Sequence, residues 1–318
     1  MPASQIDITT KRSAYLAIVI YSTIIGLSFL FGKLALTVAE PLDSLAHRFT
    51  VSLAAATVPV LFGWMKLQIK LRDVLVILPL AVLYPSMFFA FQAFGLQSTT
   101  SAEAGIIHAT VPIFTMIAAV YFLKERTTWL QQISTLLSVA GVIFIFVMKG
   151  AAIELANLKG ALLILLSALS IAGYSVLARK LASRMKVIAM TYVMTIIGCL
   201  VFNLMAVGQH LAEGTLSQYF APFASPVFLW AILYLGVLSS LISSLLSNFA
   251  LSKLEASKVG VFNHLATLVS IVAGIVFLNE QLAYYHLIGA VVIIAGVIGA
   301  NAGVWQRRNA GSSNKLPG

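Results

Sequence analysis

The residues that could do chemistry are few, and most lie inside apolar runs, where an ionisable group is costly and usually functional. Glu103 and His108 stand five apart in one such run, with Glu103 toward its end. A carboxylate there is either a solvated helix-end group or a site for a proton or cation. The imidazole of His108 is either a hydrogen-bonded packing group or one that titrates near neutral pH and couples to proton movement. Asp43, His47 and Arg48 form one turn at the start of another run. Asp43 suits a helix N-terminus and, four residues from His47, can pair with it. Arg48 cannot shed its charge. It must reach an interface or meet a carboxylate, with Glu103 the expected partner and a substrate carboxylate the alternative.

Uncharged polar residues fall in stripes. Ser240, Ser243, Ser244, Ser247 and Asn248 trace one helical face. Asn263 and Thr267 share another, with Ser270 close by and His264 beside them as a third candidate for proton coupling. Such stripes either let helices pack closely or line a cavity. Tyr84, Met87, Phe88, Phe91 and Gln92 repeat the same offsets. That aromatic face suits packing, lipid contact or the apolar side chain of an organic substrate. Tyr174 and Ser175 are further lining candidates.

Other chemistries have no residues to carry them. There is no phosphate-binding Gly-x-x-x-x-Gly-Lys-[Ser/Thr] loop, no HExxH, no CxxC and no Gly-x-Ser-x-Gly elbow. The 10 carboxylates include no clustered pair for a magnesium–diphosphate site. Cys199 is the single cysteine, so no internal disulfide forms and no thiolate zinc site is expected. No cofactor and no metal are expected, and any driving force would come from a gradient rather than from ATP.

The elements that must position these residues follow from composition. Of 318 residues, 60% are hydrophobic and 9% charged, and mean hydropathy is +0.99. Soluble domains carry about 25% charged residues, so lipid is the solvent for most of this chain. A spanning helix needs about 20 apolar residues, and ten such runs are legible: 13–34, 41–62, 73–94, 98–122, 129–148, 159–180, 187–207, 226–250, 256–278 and 284–304. They do not alternate as the strands of a membrane barrel would. The first run is too long for a signal-peptide core and no small-residue cleavage site follows it, so it is expected to remain as a span. A polar tail, 305–318, is expected to be disordered.

Charge orients the spans. The balance is 20 basic to 10 acidic residues, or +10. With the N-terminus inside, only Lys33, Lys149 and Lys159 fall in outer segments, and Arg48 lies within a span. The positive-inside rule then puts both termini in the cytoplasm, with 1–12 as an inner N-terminal segment. Topology accounts for the excess positive charge, and no nucleic-acid partner is expected.

The chain also repeats itself at a shift of 155 residues. Gly105 meets Gly260, Phe122-Leu123 meets Phe277-Leu278, Glu125 meets Glu280, and Ala140-Gly141-Val142-Ile143 meets Ala295-Gly296-Val297-Ile298. The expected fold is all-α and membrane-integral: two five-helix halves, 13–148 and 159–304. Because five is odd, the halves insert with opposite orientation, the arrangement that lets a central site open to either side in turn. Glu125 and Glu280 read as loop anchors near opposite surfaces. Gly299 and Gly303 form a GxxxG pair beside Gly296, which suits internal packing or a homodimer face.

Each half holds a small-residue helix ending in an aromatic-Leu-x-Glu motif, followed by a Gly-Val-Ile helix. In the first, Ala102-Glu103-Ala104-Gly105 leads through Pro112 to Phe122-Leu123-Lys124-Glu125. In the second, Ala256-Ser257-Lys258-Val259-Gly260 leads to Phe277-Leu278-Asn279-Glu280. With Pro41 and Arg48 opening the second helix, this resembles the EamA-like branch of the drug/metabolite transporter superfamily, over about 13 to 304. Thr267 stands where the first repeat has Pro112, so a kink there would differ between halves. The resemblance implies ten helices, a central cavity and export of a small organic molecule, amino-acid-like or drug-like, from the cell. The same fold as importer or exchanger, or a membrane enzyme or assembly factor, are the alternatives.

Overall fold

A computed structural model describes residues 3–63, 69–124, 129–149, 155–182, 186–254, 259 and 262–313. Among the described residues all regular structure is helical. The helices are α1 (Ala3–Ala35), α2 (Pro41–Leu61), α3 (Leu71–Gln97), α4 (Ser101–Leu123), α5 (Trp129–Lys149), α6 (Leu155–Ala182), α7 (Val187–Glu213), α8 (Pro226–Lys253), α9 (Asn263–Leu278) and α10 (Tyr284–Ser313). Among the described residues seven helical runs are long and apolar enough to cross a membrane: Arg12–Ala35 in α1, α2, α3, α4, Leu158–Leu181 in α6, α7 and α8. Shorter apolar runs occupy α9 and the first part of α10. The chain is a multi-pass membrane protein of α-helices.

Local chemistry sets the helix ends. Pro41 and Pro226 open α2 and α8, where a missing N–H costs nothing. Thr100 and Glu103 form a capping box at α4: Thr100 Oγ1 accepts from the Glu103 N–H (3.1 Å), and Glu103 Oε2 accepts from the Thr100 N–H (3.4 Å). Lys124 and Asn279 end α4 and α9 in the left-handed conformation, 155 residues apart.

Three helices are less regular than the sequence suggests. α3 and α8 each contain a π-helical segment, Val82–Met87 and Tyr234–Ile242. In α3 the Tyr84 backbone is extended (φ −144°, ψ 118°), because the residue before Pro85 is pushed out of helical conformation. α4 is broken by a turn at Ala109–Thr110, with Pro112 just inside its second piece (Val111–Leu123). The polar residues after 304, expected to be disordered, continue α10 as helix to Ser313. Extending an existing helix adds one hydrogen bond per residue fixed, which is far cheaper than starting one.

The helices pack in matched pairs. α1 lies against α9 as α6 lies against α4; α1 lies against α8 as α6 lies against α3; α2 lies on the π segment of α8, and α7 on that of α3. α2 meets α7, α4 meets α9, and α5 meets α10. At the α4–α9 crossing Gly105 has no room for a Cβ, which would fall on Ser270, and Thr267 donates to the Gly105 carbonyl (2.9 Å). Gly299 of α10 faces Ser134 of α5, so this glycine serves packing inside the chain.

Candidate functional site

The π segments and the first halves of α2 and α4 bring most of the sequence-selected residues toward the centre. A helix rises about 1.5 Å per residue, so Arg48 lies roughly 10 Å along α2, inside the bundle. It is 4% exposed. Its Nε donates to Ser240 Oγ (2.7 Å) and its Nη2 to Ser239 Oγ (2.8 Å), both in the π segment of α8. The guanidinium carbon sits 3.9 Å from the centre of the Phe89 ring, a favourable cation–π contact. The expected pairing with Glu103 does not form. Arg48 lies against α8, whereas Glu103 is held at the start of α4, with Oε1 3.4 Å from His286 of α10.

From Arg48 a polar thread runs across the bundle. Ser244 Oγ donates to the Ser240 carbonyl (2.5 Å) and shares a hydrogen bond with Tyr84 Oη (2.9 Å). The Tyr84 ring lies 4.8 Å from that of Tyr174. Tyr174 donates to Asn248 Oδ1, and the Asn248 amide donates to Thr191 Oγ1 (2.9 Å). Five helices, α2, α8, α3, α6 and α7, thus meet on one continuous set of polar and aromatic contacts. Phe88 and Phe89 pack on Tyr84 from the following turn (5.2 and 5.1 Å). Ser243 is buried and bonded to the Ser239 carbonyl, and Ser247 is buried one turn on.

The predicted aromatic face of α3 is only partly the observed one. Tyr84, Phe88 and Gln92 are buried, but Met87 faces outward and Phe89 turns in. A π segment rotates the residues after it off the regular helical face, and the offsets read from sequence assume no such segment. Phe89, Ser239 and Thr191 were missed for this reason or because each stands alone as an ordinary residue. Gln92 keeps its amide nitrogen buried with no hydrogen-bond partner. Ser175 bonds to its own helix (2.8 Å to the Ile171 carbonyl).

The remaining candidates lie elsewhere. His108 ends the first piece of α4, 3.4 Å from Ser167 Oγ and edge-on to Phe29 and Phe88. Thr267 is at the α4–α9 crossing described above. The backbones of Asn263 and His264 begin α9, and their side chains lie outside the described residues, as does Glu125.

One end of the bundle gathers Asp43, Glu103, Glu280, Lys33 and two histidines. Asp43 does not bind His47; it meets His210 Nε2 at 3.0 Å. His47 instead contacts the Tyr219 carbonyl (2.8 Å) and is boxed by Tyr219, Phe220, Phe223 and Phe228. These aromatics come from the connection between α7 and α8 and the start of α8. Two 3₁₀ turns there, Leu216–Gln218 and Ala221–Ala224, fold over the start of α2. Burial, and then the charge of Asp43, push the Tyr219 hydroxyl up to about 12, so it stays a neutral donor to Asn203 Oδ1 (2.6 Å). Beside it opens a cavity of 540 Å³ bordered by Glu40, Asp43, His210 and Glu213. Nearby, Glu280 accepts from the N–H groups of Ser101 (2.8 Å) and Ala102 (2.9 Å) at the start of α4. Glu280 is a helix-capping anchor, as its sequence context suggested. Lys33 donates to the Leu96 and Thr99 carbonyls (2.6 and 2.7 Å) at the end of α3. Arg179 does the same at the end of α8, on Leu251 (2.7 Å), 155 residues after Leu96.

Among the described residues no group of three or more His, Cys, Asp or Glu side chains could hold a metal ion. The arrangement instead offers hydrogen bonds, aromatic faces and one positive charge, the means of holding an organic molecule without reacting with it.

Comparison with known proteins agrees. The model of the EamA-like transporter family matches residues 12–147 and again 158–302. An uncharacterized transporter of Bacillus subtilis, YcxC, is 60% identical over 92% of this chain and 93% of its own. An S-adenosylmethionine uptake transporter of Rickettsia bellii is 26% identical over 67% of this chain and 68% of its own. A solved crystal structure superposes with a TM-score of 0.63 at 16% identity, over 92% of this chain and 98% of its own, a likeness of fold. The chain belongs to the EamA-like transporter family of the drug/metabolite transporter superfamily, and it is a membrane transporter rather than an enzyme.

Proposed function

We propose that this transporter exports a small organic metabolite across the cell membrane by alternating access between two inverted five-helix halves, 13–148 and 159–304. Both termini lie in the cytoplasm, and the inner segments hold the excess of lysine and arginine. One observation carries the reading: features of the first half recur in the second, 155 residues on along the later helices. The left-handed ends at Lys124 and Asn279 are 155 residues apart, and so are the carbonyls of Leu96 and Leu251, which Lys33 and Arg179 hold. The π segments of α3 and α8 occupy corresponding places. Related halves of opposite orientation can exchange shapes around a central site. The site is the thread from Arg48 through Tyr84 and Tyr174 to Asn248, and Glu103, His108 and His264 are the groups for proton coupling.

Uptake is the second reading, favoured by the relatives named S-adenosylmethionine uptake transporters. Comparing metabolites inside and outside cells, with and without overproduction of the chain, tests both. A compound class depleted inside and enriched outside supports export, and the reverse supports uptake. No difference in a well-expressed, membrane-inserted protein overturns the transport of a cellular metabolite.

A further inference from the structure

We propose that Arg48 is the anchor for a carboxylate on the transported molecule, and that the substrate class is an organic monoanion with an aromatic or apolar body. The proposal rests on the transporter reading above and names the substrate class of the same site.

A guanidinium keeps its charge at any accessible pH. Placing such a charge in a low-dielectric interior costs several kcal/mol unless a counter-charge and hydrogen bonds offset it. Among the described residues Arg48 has hydrogen bonds but no counter-charge. Its partners are two serine hydroxyls and the face of Phe89, all neutral. Three described carboxylates of the bundle are engaged elsewhere. Asp43 is on His210, Glu103 is on the Thr100 N–H, and Glu280 is on the backbone of Ser101 and Ala102. A guanidinium offers five N–H donors in a planar fork. The described residues accept from its Nε and Nη2 and give Nη1 no acceptor. A carboxylate approaching that edge finds the geometry in which arginine binds best.

The fold does not require this charge. α2 crosses the π segment of α8, and α7 crosses the π segment of α3. The second crossing is made by Gly198 of α7, placed so close to Pro85 and Phe49 that a Cβ would strike both. Its closeness is supplied by a glycine and apolar carbon. Lys33 and Arg179 set an offset of 146 between α1 and α6, and the same step carries Arg48 to Met194, an uncharged residue. One of two similar crossings therefore carries a buried charge that its counterpart does without.

The surroundings specify the rest of the ligand. Tyr84, Tyr174, Phe88 and Phe89 form an aromatic wall beside Arg48, and the Ser244 and Tyr84 hydroxyls lie within it. No described carboxylate stands there to receive an ammonium or sulfonium. The site therefore favours a carboxylate without a nearby positive group. Ser239 and Ser240 belong to a π segment, an irregular stretch of helix frequently found at functional sites, so the groups that now hold Arg48 are on a segment able to re-form around a ligand.

The test uses the purified full-length chain in detergent, with phenylacetate, indole-3-acetate and hexanoate as probes, each beside its uncharged amide, and S-adenosylmethionine as a cationic probe. Binding is read by calorimetry and by the shift in unfolding midpoint. The expected result is that at least one carboxylate binds and raises the midpoint while its amide and S-adenosylmethionine do not. Arg48→Gln should weaken that carboxylate roughly tenfold or more, as loss of a desolvated charge pair does. Arg48→Lys keeps the charge and loses the fork; it should bind more weakly than wild type but still prefer carboxylate to amide. That variant keeps the proposal testable should Arg48→Gln not fold. Equal binding of acid and amide, binding of none of the carboxylates, or undiminished binding in Arg48→Gln overturns the proposal. Export of a neutral or cationic metabolite from cells would overturn it and leave the transporter reading standing. Carboxylate binding through Arg48 with no metabolite moved would do the opposite.

Discussion

The charged rim and the mid-bundle cluster are built from similar residues and differ in how those residues are satisfied. At the rim Asp43 has His210, Glu103 has the Thr100 N–H, Glu280 has two backbone N–H groups and Lys33 has two backbone carbonyls. At the centre the described partners of Arg48 are all neutral. A charge already matched by the protein holds helices in place, so its removal is felt as lost stability. A charge without a protein counter-ion leaves an electrostatic demand that a ligand can meet, so its removal is felt as lost binding. Proximity in sequence does not separate the two: Asp43 and Arg48 are five residues apart on one helix.

Substitutions can sharpen or break that contrast. The largest effect on stability is expected at the rim. Glu280→Gln removes a carboxylate bridging two N–H groups at the start of α4 and should lower stability by about 1–3 kcal/mol, read as a lower unfolding midpoint with substrate selectivity unchanged. A midpoint equal to wild type would mean that the rim contacts hold nothing together. At the centre Tyr84→Phe removes the hydroxyl shared with Ser244. It should cost about 1 kcal/mol or less, because Ser244 keeps its bond to the Ser240 carbonyl. Its main effect should be on transport kinetics, and unchanged kinetics would remove Tyr84 from the site. The smallest effect on stability is expected from Glu103→Gln, since an amide can still accept from the Thr100 N–H; a loss under about 1 kcal/mol is expected. Glu103 is also the carboxylate we propose for proton coupling, and on that proposal flux should fall all the same. Wild-type flux in Glu103→Gln would return Glu103 to the purely structural rim and make the contrast complete.

Much of the fold was legible in the residues. The runs of apolar side chains follow from local patterns that packing did not alter; Glu280, read as a loop anchor, holds the start of α4 by a contact 179 residues away, and the capping box at Thr100 and Glu103 was not read. The site was legible less evenly. Tyr84, Phe88, Tyr174, Ser243 and Asn248 do gather around one thread. Thr267 and Ser270, chosen by the same logic of polar stripes, serve a helix crossing at Gly105 instead. The stripe is identical in both cases, and what differs is the helix opposite it.

Two pairings were misread for physical reasons. Asp43 and His47 share a helical face, but the aromatic connection after α7 claims His47 and leaves Asp43 to His210. Arg48 and Glu103 are the opposite charges an observer would join, yet they lie on different neighbours, α8 and α10.

From composition, periodicity and repetition follow the solvent, the helices and the shift of 155 residues, and short motifs carry the family resemblance, because each depends on short stretches of chain or on self-comparison. Which side chains meet was settled by packing. Arg48 finds Ser240 192 residues away, and π segments in α3 and α8 rotate the faces that regular helices would have offered. A local pattern records which residues can share a face. It holds no record of which helix that face will meet, and the chemistry of the site depends on that meeting.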